Sequence, residues 1–255
     1  LTGRPTRLGL VGTGFIADVH LQVLKSVADV QVVAVCDVSQ ERADKLAKKY
    51  GIGQVFTSIA QMAAAADLDA VHILVPPGLH KDLAAQCLKL GLHVLVEKPL
   101  VLHSAEVQEL RDLAEQHGRV LAVNHNLTWH PALKQLEGHV AAGRIGRLEH
   151  LSLQHHVPLR QLQTGDVGHF MFQTEANIIW EQGVHLFSMV FALLGACSDV
   201  QVITGDRRQL ANGVNIVEEW VVRLQCERGS ATVRMAFGKP WLETTVQAIG
   251  SDGAA

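Results

Sequence analysis

The sequence predicts an α/β protein. A doubly wound parallel sheet at the N-terminus is followed by an α+β domain whose sheet is open and mostly antiparallel. Three observations carry this. From Arg7 to about Val123, short apolar runs rich in β-branched residues alternate with helical patterns. A glycine-rich turn joins the first of these runs to the first helix. After Asn124 the strands alternate in polarity and are joined by turn signals. Continuous apolar runs separated by helices imply a parallel sheet covered on both faces. The boundary is therefore expected near residue 123, with one domain over 1–123 and a second over 124–255.

The apolar runs of the first domain are Leu8–Val11, Val30–Cys36, Ala70–Val75, His93–Val96 and Val120–Val123. Helical spacing marks Phe15–Val27, Gln40–Lys49, Leu79–Leu90 and Ser104–His117, with a shorter helix at Ser58–Ala66. In the second domain a helix over Pro131–Ala142 ends at Gly143 and leads into the strand "GRLEHLSLQHH". A second helix, Ile178–Leu194, stops at Gly195. Strands are expected at Val200–Thr204, Ile216–Gln225, Ser230–Ala236 and Thr244–Ile249, and "ANG" and "ERG" read as hairpin turns. The last strand leaves a bare edge in "VQAIGSDGAA", so either oligomerisation covers it or the chain is truncated after Ala255.

Composition narrows the function classes. The 255 residues are 48% hydrophobic and 18% charged, enough for two cores of ordinary size. A net charge of −3 supplies no field for nucleic acid, which leaves a small molecule as the expected partner. The longest apolar stretch, near Met189–Leu194, falls well short of the ~20 residues of a membrane span, and no signal peptide is visible. Cys36, Cys87, Cys197 and Cys226 lack metal spacing. Cys36 and Cys87 fall inside apolar patterns, which suits buried thiols in a reducing, cytoplasmic compartment.

The turn "LGLVGTGFIADVH" reads Gly12-x-Gly14-x-x-Ala17. Gly12 permits a tight turn, Gly14 lets a pyrophosphate reach the backbone of Phe15 and Ile16, and Ala17 allows close helix–sheet packing. Asp37 ends the next long run, twenty residues beyond Ala17, where a carboxylate binds both ribose hydroxyls and repels a 2′-phosphate. The expected fold is thus a Rossmann domain and the expected cofactor NAD. No metal is expected. His155, His156, Glu181 and His185 lack the His-Glu-x-x-His spacing.

Further motifs follow at the strand ends: "VPPGLH" with Pro76 and His80, and "VLVEKPL" with Glu97, Lys98 and Pro99. With "GTGFIA" and the later "EQGVH", these resemble the Gfo/Idh/MocA oxidoreductases over almost the whole chain. The resemblance implies that Lys98 meets the reacting hydroxyl, that His185 shuttles its proton, and that Lys98–Pro99 is cis. The family pattern Asp-x-Gly-x-His is here Glu181-Gln182-Gly183-Val184-His185, with a longer carboxylate. Four-residue spacing puts Glu181 and His185 on one helix face, where the carboxylate orients the imidazole, and Gly183 leaves space beside them.

Lys98, His185 and Glu181 are accordingly the catalytic candidates. Gly12, Gly14, Phe15, Ile16, Asp37, Pro76, His80, Glu97, Lys98 and Asn126 are the cofactor candidates. Lys98, Asn124, Trp180 and His185 are the substrate candidates. The implied activity is NAD-dependent oxidation of a secondary alcohol of a sugar, cyclitol or glycoside. An NAD-retaining glycosidase using transient sugar oxidation, and a non-catalytic dinucleotide-binding regulator, remain alternatives. Alternating Val217, Val221, Val233 and Met235 suggest an open sheet face that a second copy covers, hence a homodimer or homotetramer.

Overall fold

The computed structural model describes residues 3–255; Leu1 and Thr2, part of the N-terminal stretch read above, lie outside the described residues. The chain divides into two compact units, one reaching Asn124 and the other running from His125 to Ala255. In the first, strands β1 (Thr6–Val11), β2 (Val30–Cys36), β3 (Gln54–Phe56), β4 (Ala70–Ile73), β5 (His93–Val96) and β6 (Leu121–Val123) form one sheet. Its order is β3-β2-β1-β4-β5-β6, every pair parallel. The intervening helices are α1 (Phe15–Leu24), α2 (Gln40–Tyr50), α3 (Ile59–Ala65), α4 (His80–Lys89) and α5 (Ala105–Gln116).

The runs are uninterrupted because each face of the sheet has its own core. Leu8, Leu10 and Val35 meet Ala17 and Leu21 of α1 and Leu46 of α2. Val71, Ile73, Val94 and Val96 meet Met62 of α3, Leu88 of α4 and Leu110 of α5. A fully buried leucine such as Leu10 contributes roughly 1.5–3 kcal/mol, so the two layers hold the strand ends in place. Sequence patterning missed β3, a strand of only three residues with none fully buried.

The second unit contains α6 (Pro131–Ala141), β7 (Leu148–Val157), α7 (Arg160–Thr164), α8 (Val184–Leu194), β8 (Cys197–Thr204), β9 (Arg207–Gln209), β10 (Asn215–Val217), β11 (Glu219–Cys226), β12 (Gly229–Phe237), β13 (Glu243–Gly250) and β14 (Gly253–Ala254). The main sheet has the order β14-β13-β7-β12-β11-β8; β9 and β10 pair separately. Its pairs are antiparallel except β7 with β12. "ERG" closes the β11–β12 hairpin and "ANG" joins β9 to β10, both antiparallel as expected.

Two expectations change here. Ile216–Gln225 is broken at Glu218 into β10 and β11. Val217, Val233 and Met235 are not on an open face: all are fully buried, the last two in the core with Leu186 and Met189 of α8, whereas Val221 is half-buried on the opposite face, across from Arg234 and Ile203. The opposite face is polar, since Gln154, Arg223, Arg234 and Gln247 are exposed on it. Strand period forces this, because a core filled by residues of one parity exposes the other.

Cys36 and Cys87 are free and buried, and burial pushes their thiols up to about 11 and about 12. Cys197 and Cys226 stand opposite each other across β8 and β11 and form a disulfide. Their sequence separation of 29 hides a pairing that only the strand register produces. Among the described residues no helix is long and apolar enough to cross a membrane.

Candidate functional site

In a parallel sheet every strand delivers its last residue to the same edge. Gly12 follows β1, Asp37 follows β2, Glu97 follows β5 and Asn124 follows β6. Gly12 has φ +94, and a side chain there would lie 2.6 Å from the Leu74 carbonyl oxygen, so no other residue fits. Gly14 differs. It precedes α1 with φ −74, carries no side-chain cap, and a Cβ would meet nothing within 4 Å. Nothing therefore obstructs the backbone at Gly14, where the first N–H groups of α1 lack partners within the helix, as anion binding at a helix N-terminus requires. Phe15 is 84% exposed beside it, Ile16 is half-buried and Ala17 is buried against the sheet.

Asp37 is buried, and its carboxylate is shared out among protein donors. One oxygen accepts the Thr13 backbone N–H at 2.9 Å and its hydroxyl at 2.7 Å. The other accepts the Ser39 N–H at 2.9 Å and the Arg42 guanidinium at 2.8 Å. Burial alone would raise its pKa, but these donors hold it at about 2. The carboxylate is fixed and ionised at the strand end. Open space at Gly14 fits the pyrophosphate of a dinucleotide, and Asp37 is a fixed anion where the ribose would lie, with the exposed Arg42 the donor that a ribose hydroxyl can replace.

Glu97 heads a polar cluster that the sequence reading missed. Its Oε1 accepts the Asn124 side-chain amide at 2.6 Å and lies 3.0 Å from His20 Nε2; its Oε2 accepts the Lys98 backbone N–H at 3.1 Å. Burial raises its pKa, yet the bonds from His20 and Asn124 bring it down to about 2. His20 Nδ1 is 3.1 Å from His72 Nδ1, and the rings meet edge to face at 5.2 Å. Burial first, and His20 second, pull His72 down to about 4 against the pull of Glu97. Each histidine is visible as an oddity in the sequence, since His72 interrupts an apolar strand and His20 shares the buried helix face of Ala17, but their pairing across the fold is not. A polar group at an apolar phase needs a partner.

The Lys98–Pro99 peptide is cis, as the resemblance implied. Pro76 is exposed, and a short helical turn, Pro77–Leu79, leads into α4. His80 is a correction. Its ring is fully buried, with Nδ1 2.7 Å from the Pro99 carbonyl and Nε2 2.8 Å from the Val75 carbonyl. Both nitrogens lie within hydrogen-bond distance of a backbone carbonyl, so the buried ring ties the Val75 and Pro99 loops together and does not face a ligand. Asn124 donates its side-chain amide N–H to Glu97.

In the second unit Asn126 is exposed on a short turn, Asn126–Trp129, that packs against α8. The expected helix over 178–194 begins as a π-helical turn, Ile179–Gly183, before α8. Glu181 and Trp180 lie in that wide turn and His185 in the first turn of α8, so their spacing crosses a change of helical period. Trp180 is 44% exposed. Gly183 does not leave space. A Cβ would sit 3.0 Å from Phe187 and 3.4 Å from Met235 of β12, so the glycine lets this segment approach the sheet.

His155 and His156, adjacent on β7, point to opposite faces. His155 Nδ1 is 2.8 Å from the Thr244 hydroxyl, and burial lowers its pKa. His156 Nδ1 accepts from Trp241 at 3.0 Å and is 3.2 Å from a Glu243 oxygen. Among the described residues no group of three metal-ligating side chains comes together.

Comparison with known proteins adds the following. Residues 6–125 match a family described as an oxidoreductase family with an NAD-binding Rossmann fold. A scyllo-inositol 2-dehydrogenase (NADP(+)) of Bacillus subtilis is 30% identical over 197 residues, 76% of this chain and 60% of that protein. A D-glucoside 3-dehydrogenase of Escherichia coli is 32% identical over 149 residues, 58% of this chain and 42% of that protein. The chain thus matches less than two thirds of the length of either relative. A solved scyllo-inositol dehydrogenase from Lactobacillus casei, with bound NAD(H) and scyllo-inositol, superposes with a TM-score of 0.88 over 99% of this chain and 76% of that one. At 20% identity that likeness is one of fold.

Proposed function

We propose, from the premise that this chain belongs to the Gfo/Idh/MocA oxidoreductase family, that it is an NAD-dependent dehydrogenase. Its substrate class is a secondary alcohol of a sugar, cyclitol or glycoside, the class to which the names of its relatives point. One observation carries the reading. The open helix N-terminus at Gly14, the ionised Asp37 and the Glu97–Lys98 pair all stand at the carboxyl edge of one parallel sheet. Ligands of doubly wound sheets bind at that edge.

Gly12, Gly14, Phe15, Ile16 and Asp37 would hold the dinucleotide, whose nicotinamide would supply the acceptor for a hydride from the carbinol carbon. Lys98 binds the substrate oxygen and steadies the negative charge that develops there. His185 takes the hydroxyl proton, and Glu181 orients it. Trp180, Asn124 and Asn126 complete the substrate and nicotinamide contacts. Glu97, its carboxylate already bonded at both oxygens, anchors Lys98 instead of moving protons.

A homo-oligomer, at least a dimer, belongs to the same reading, with the exposed polar face of the second-unit sheet as the contact; light scattering tests it. Cytoplasmic location is supported by the buried thiols of Cys36 and Cys87. The Cys197–Cys226 disulfide weighs against it, and thiol trapping in intact cells decides.

The function itself is tested by a screen of polyols, aldoses and glycosides for NADH formation. Net NADH from a member of these classes is expected. Cleavage of a glycoside without net NADH, or binding of NAD with no turnover at all, overturns the reading.

A further inference from the structure

We propose that His20 is a positioning residue for Lys98, acting through Glu97. His20 lies on α1, its side chain only 11% exposed, and never needs to touch a substrate. What it touches is the Glu97 carboxylate. That carboxylate is an acceptor only, so the proton in the 3.0 Å contact belongs to His20 Nε2. The other ring nitrogen is held as well. His72 is neutral near pH 7, and in the 3.1 Å contact between the two Nδ1 atoms one ring donates and the other accepts. His72 satisfies either arrangement by changing tautomer. The His20 ring is thus fixed at both nitrogens.

The consequence falls on the backbone of Lys98. Glu97 Oε1 carries two donors, His20 and Asn124, and this turns Oε2 onto the Lys98 N–H at 3.1 Å. On the far side of Lys98 the Pro99 carbonyl is held by His80 Nδ1 at 2.7 Å. The lysine therefore leaves a main chain pinned immediately before and after it. The pins come from α1, the end of β6 and the start of α4. Remove the His20 donor and a buried anion loses one of its three partners. The carboxylate then turns toward water or toward Asn124 alone, and the Lys98 N–H is released.

The kinetic part of this rests on the function proposed above; the structural part does not. The experiment compares His20→Leu, which keeps bulk and removes the donor, with His20→Gln, whose amide can still donate to Glu97. Amide hydrogen exchange is read at Lys98 and, as internal reference, at Val94 and Val96 of β5. Steady-state kinetics with NAD and a substrate found in the screen supply kcat and KM separately.

In His20→Leu the Lys98 amide is expected to exchange at least about tenfold faster, with the reference amides within about threefold. In the same variant kcat falls about tenfold or more, with the KM for NAD within about threefold. His20→Gln stays within about threefold of the parent in both readouts. Unchanged Lys98 exchange in His20→Leu overturns the proposal, as does a general acceleration of all first-unit amides, which marks a plain stability residue. So does a Gln variant as impaired as the Leu variant. If the parent enzyme turns over no polyol, the functional reading fails, and the exchange comparison still decides the positioning role.

Discussion

The two units collect their polar residues by different means. In the first, all strands run one way, so Gly12, Asp37, Glu97 and Asn124 arrive at one edge simply by following a strand. In the second, β7 and β12 are parallel to each other while β11 and β13 oppose them, and no common edge exists. There Glu181 and His185 are placed by packing: Gly183 seats the π turn on Met235 of β12. Backbone direction does the gathering in one unit and side-chain packing in the other. A substitution in the first unit should therefore act through backbone geometry and buried charge, and one in the second through the orientation of a few side chains.

The largest effect is expected in the second unit. His185→Ala should lower kcat by roughly 10²–10⁴, because a general base is lost, while NAD affinity stays within about twofold. Steady-state kinetics with a parallel NAD titration check this. Activity within a few-fold of the parent would mean that the base lies elsewhere.

The two glycines of the first unit should separate backbone geometry from ligand space. Gly12→Ala meets both the positive φ and the Leu74 carbonyl, and is expected to cost about 3 kcal/mol of stability in a urea titration. Gly14→Ala meets open space, so stability should change by less than about 1 kcal/mol while NAD binding weakens at least about tenfold. Equal destabilisation by both would erase the distinction.

Acid should weaken the first unit in two steps. His72 sits at about 4 in the folded chain against an ordinary 6.5, so the unfolded chain takes up that proton first as pH falls. Its contribution is complete above pH 6.5 and lost down to about 4, on the order of 3 kcal/mol. Glu97 and Asp37, both at about 2 when folded against 4.5 and 3.8, lose theirs below those ordinary values, toward pH 2. His155, lowered by burial, pushes the second unit in the same direction. Amide exchange in β4 and β12 as a function of pH follows the two units separately. In His72→Gln the upper step should vanish from β4 and persist in β12.

These contrasts also explain what could be read without a structure. The Rossmann order, the glycine turn, Asp37 and the Glu97-Lys98-Pro99 corner were legible because strand ends are marked in the sequence itself. His20 and His72 were not, because they meet across 52 positions and each looks like a stray polar residue alone. The role assigned to His80 changed for the same reason: its partners are carbonyls, which leave no trace in a side-chain pattern. In the second unit, the parallel pairing of β7 with β12, the π turn and the Cys197–Cys226 bridge all depend on register. Alternation in one strand does not set register with a distant one.

A smaller effect concerns cofactor choice. Asp37 is ionised and should favour NAD over NADP by at least about tenfold, ~1.4 kcal/mol. Arg42, lying on that carboxylate, offsets part of its charge, so Arg42→Gln is expected to widen the preference. Fluorescence titrations with both dinucleotides measure it. Equal or tighter NADP binding would contradict the assignment to Asp37.

The central claim is hydride transfer from a carbinol carbon, and isotopic labelling tests it most directly. A polyol or glycoside that turns over is supplied with deuterium on the reacting carbon, and the reduced cofactor is examined by mass spectrometry. Deuterium should appear in NADH with the parent protein, and turnover should be lost in Lys98→Met and His185→Ala. Unlabelled NADH, or labelled NADH formed undiminished by both variants, would contradict the account.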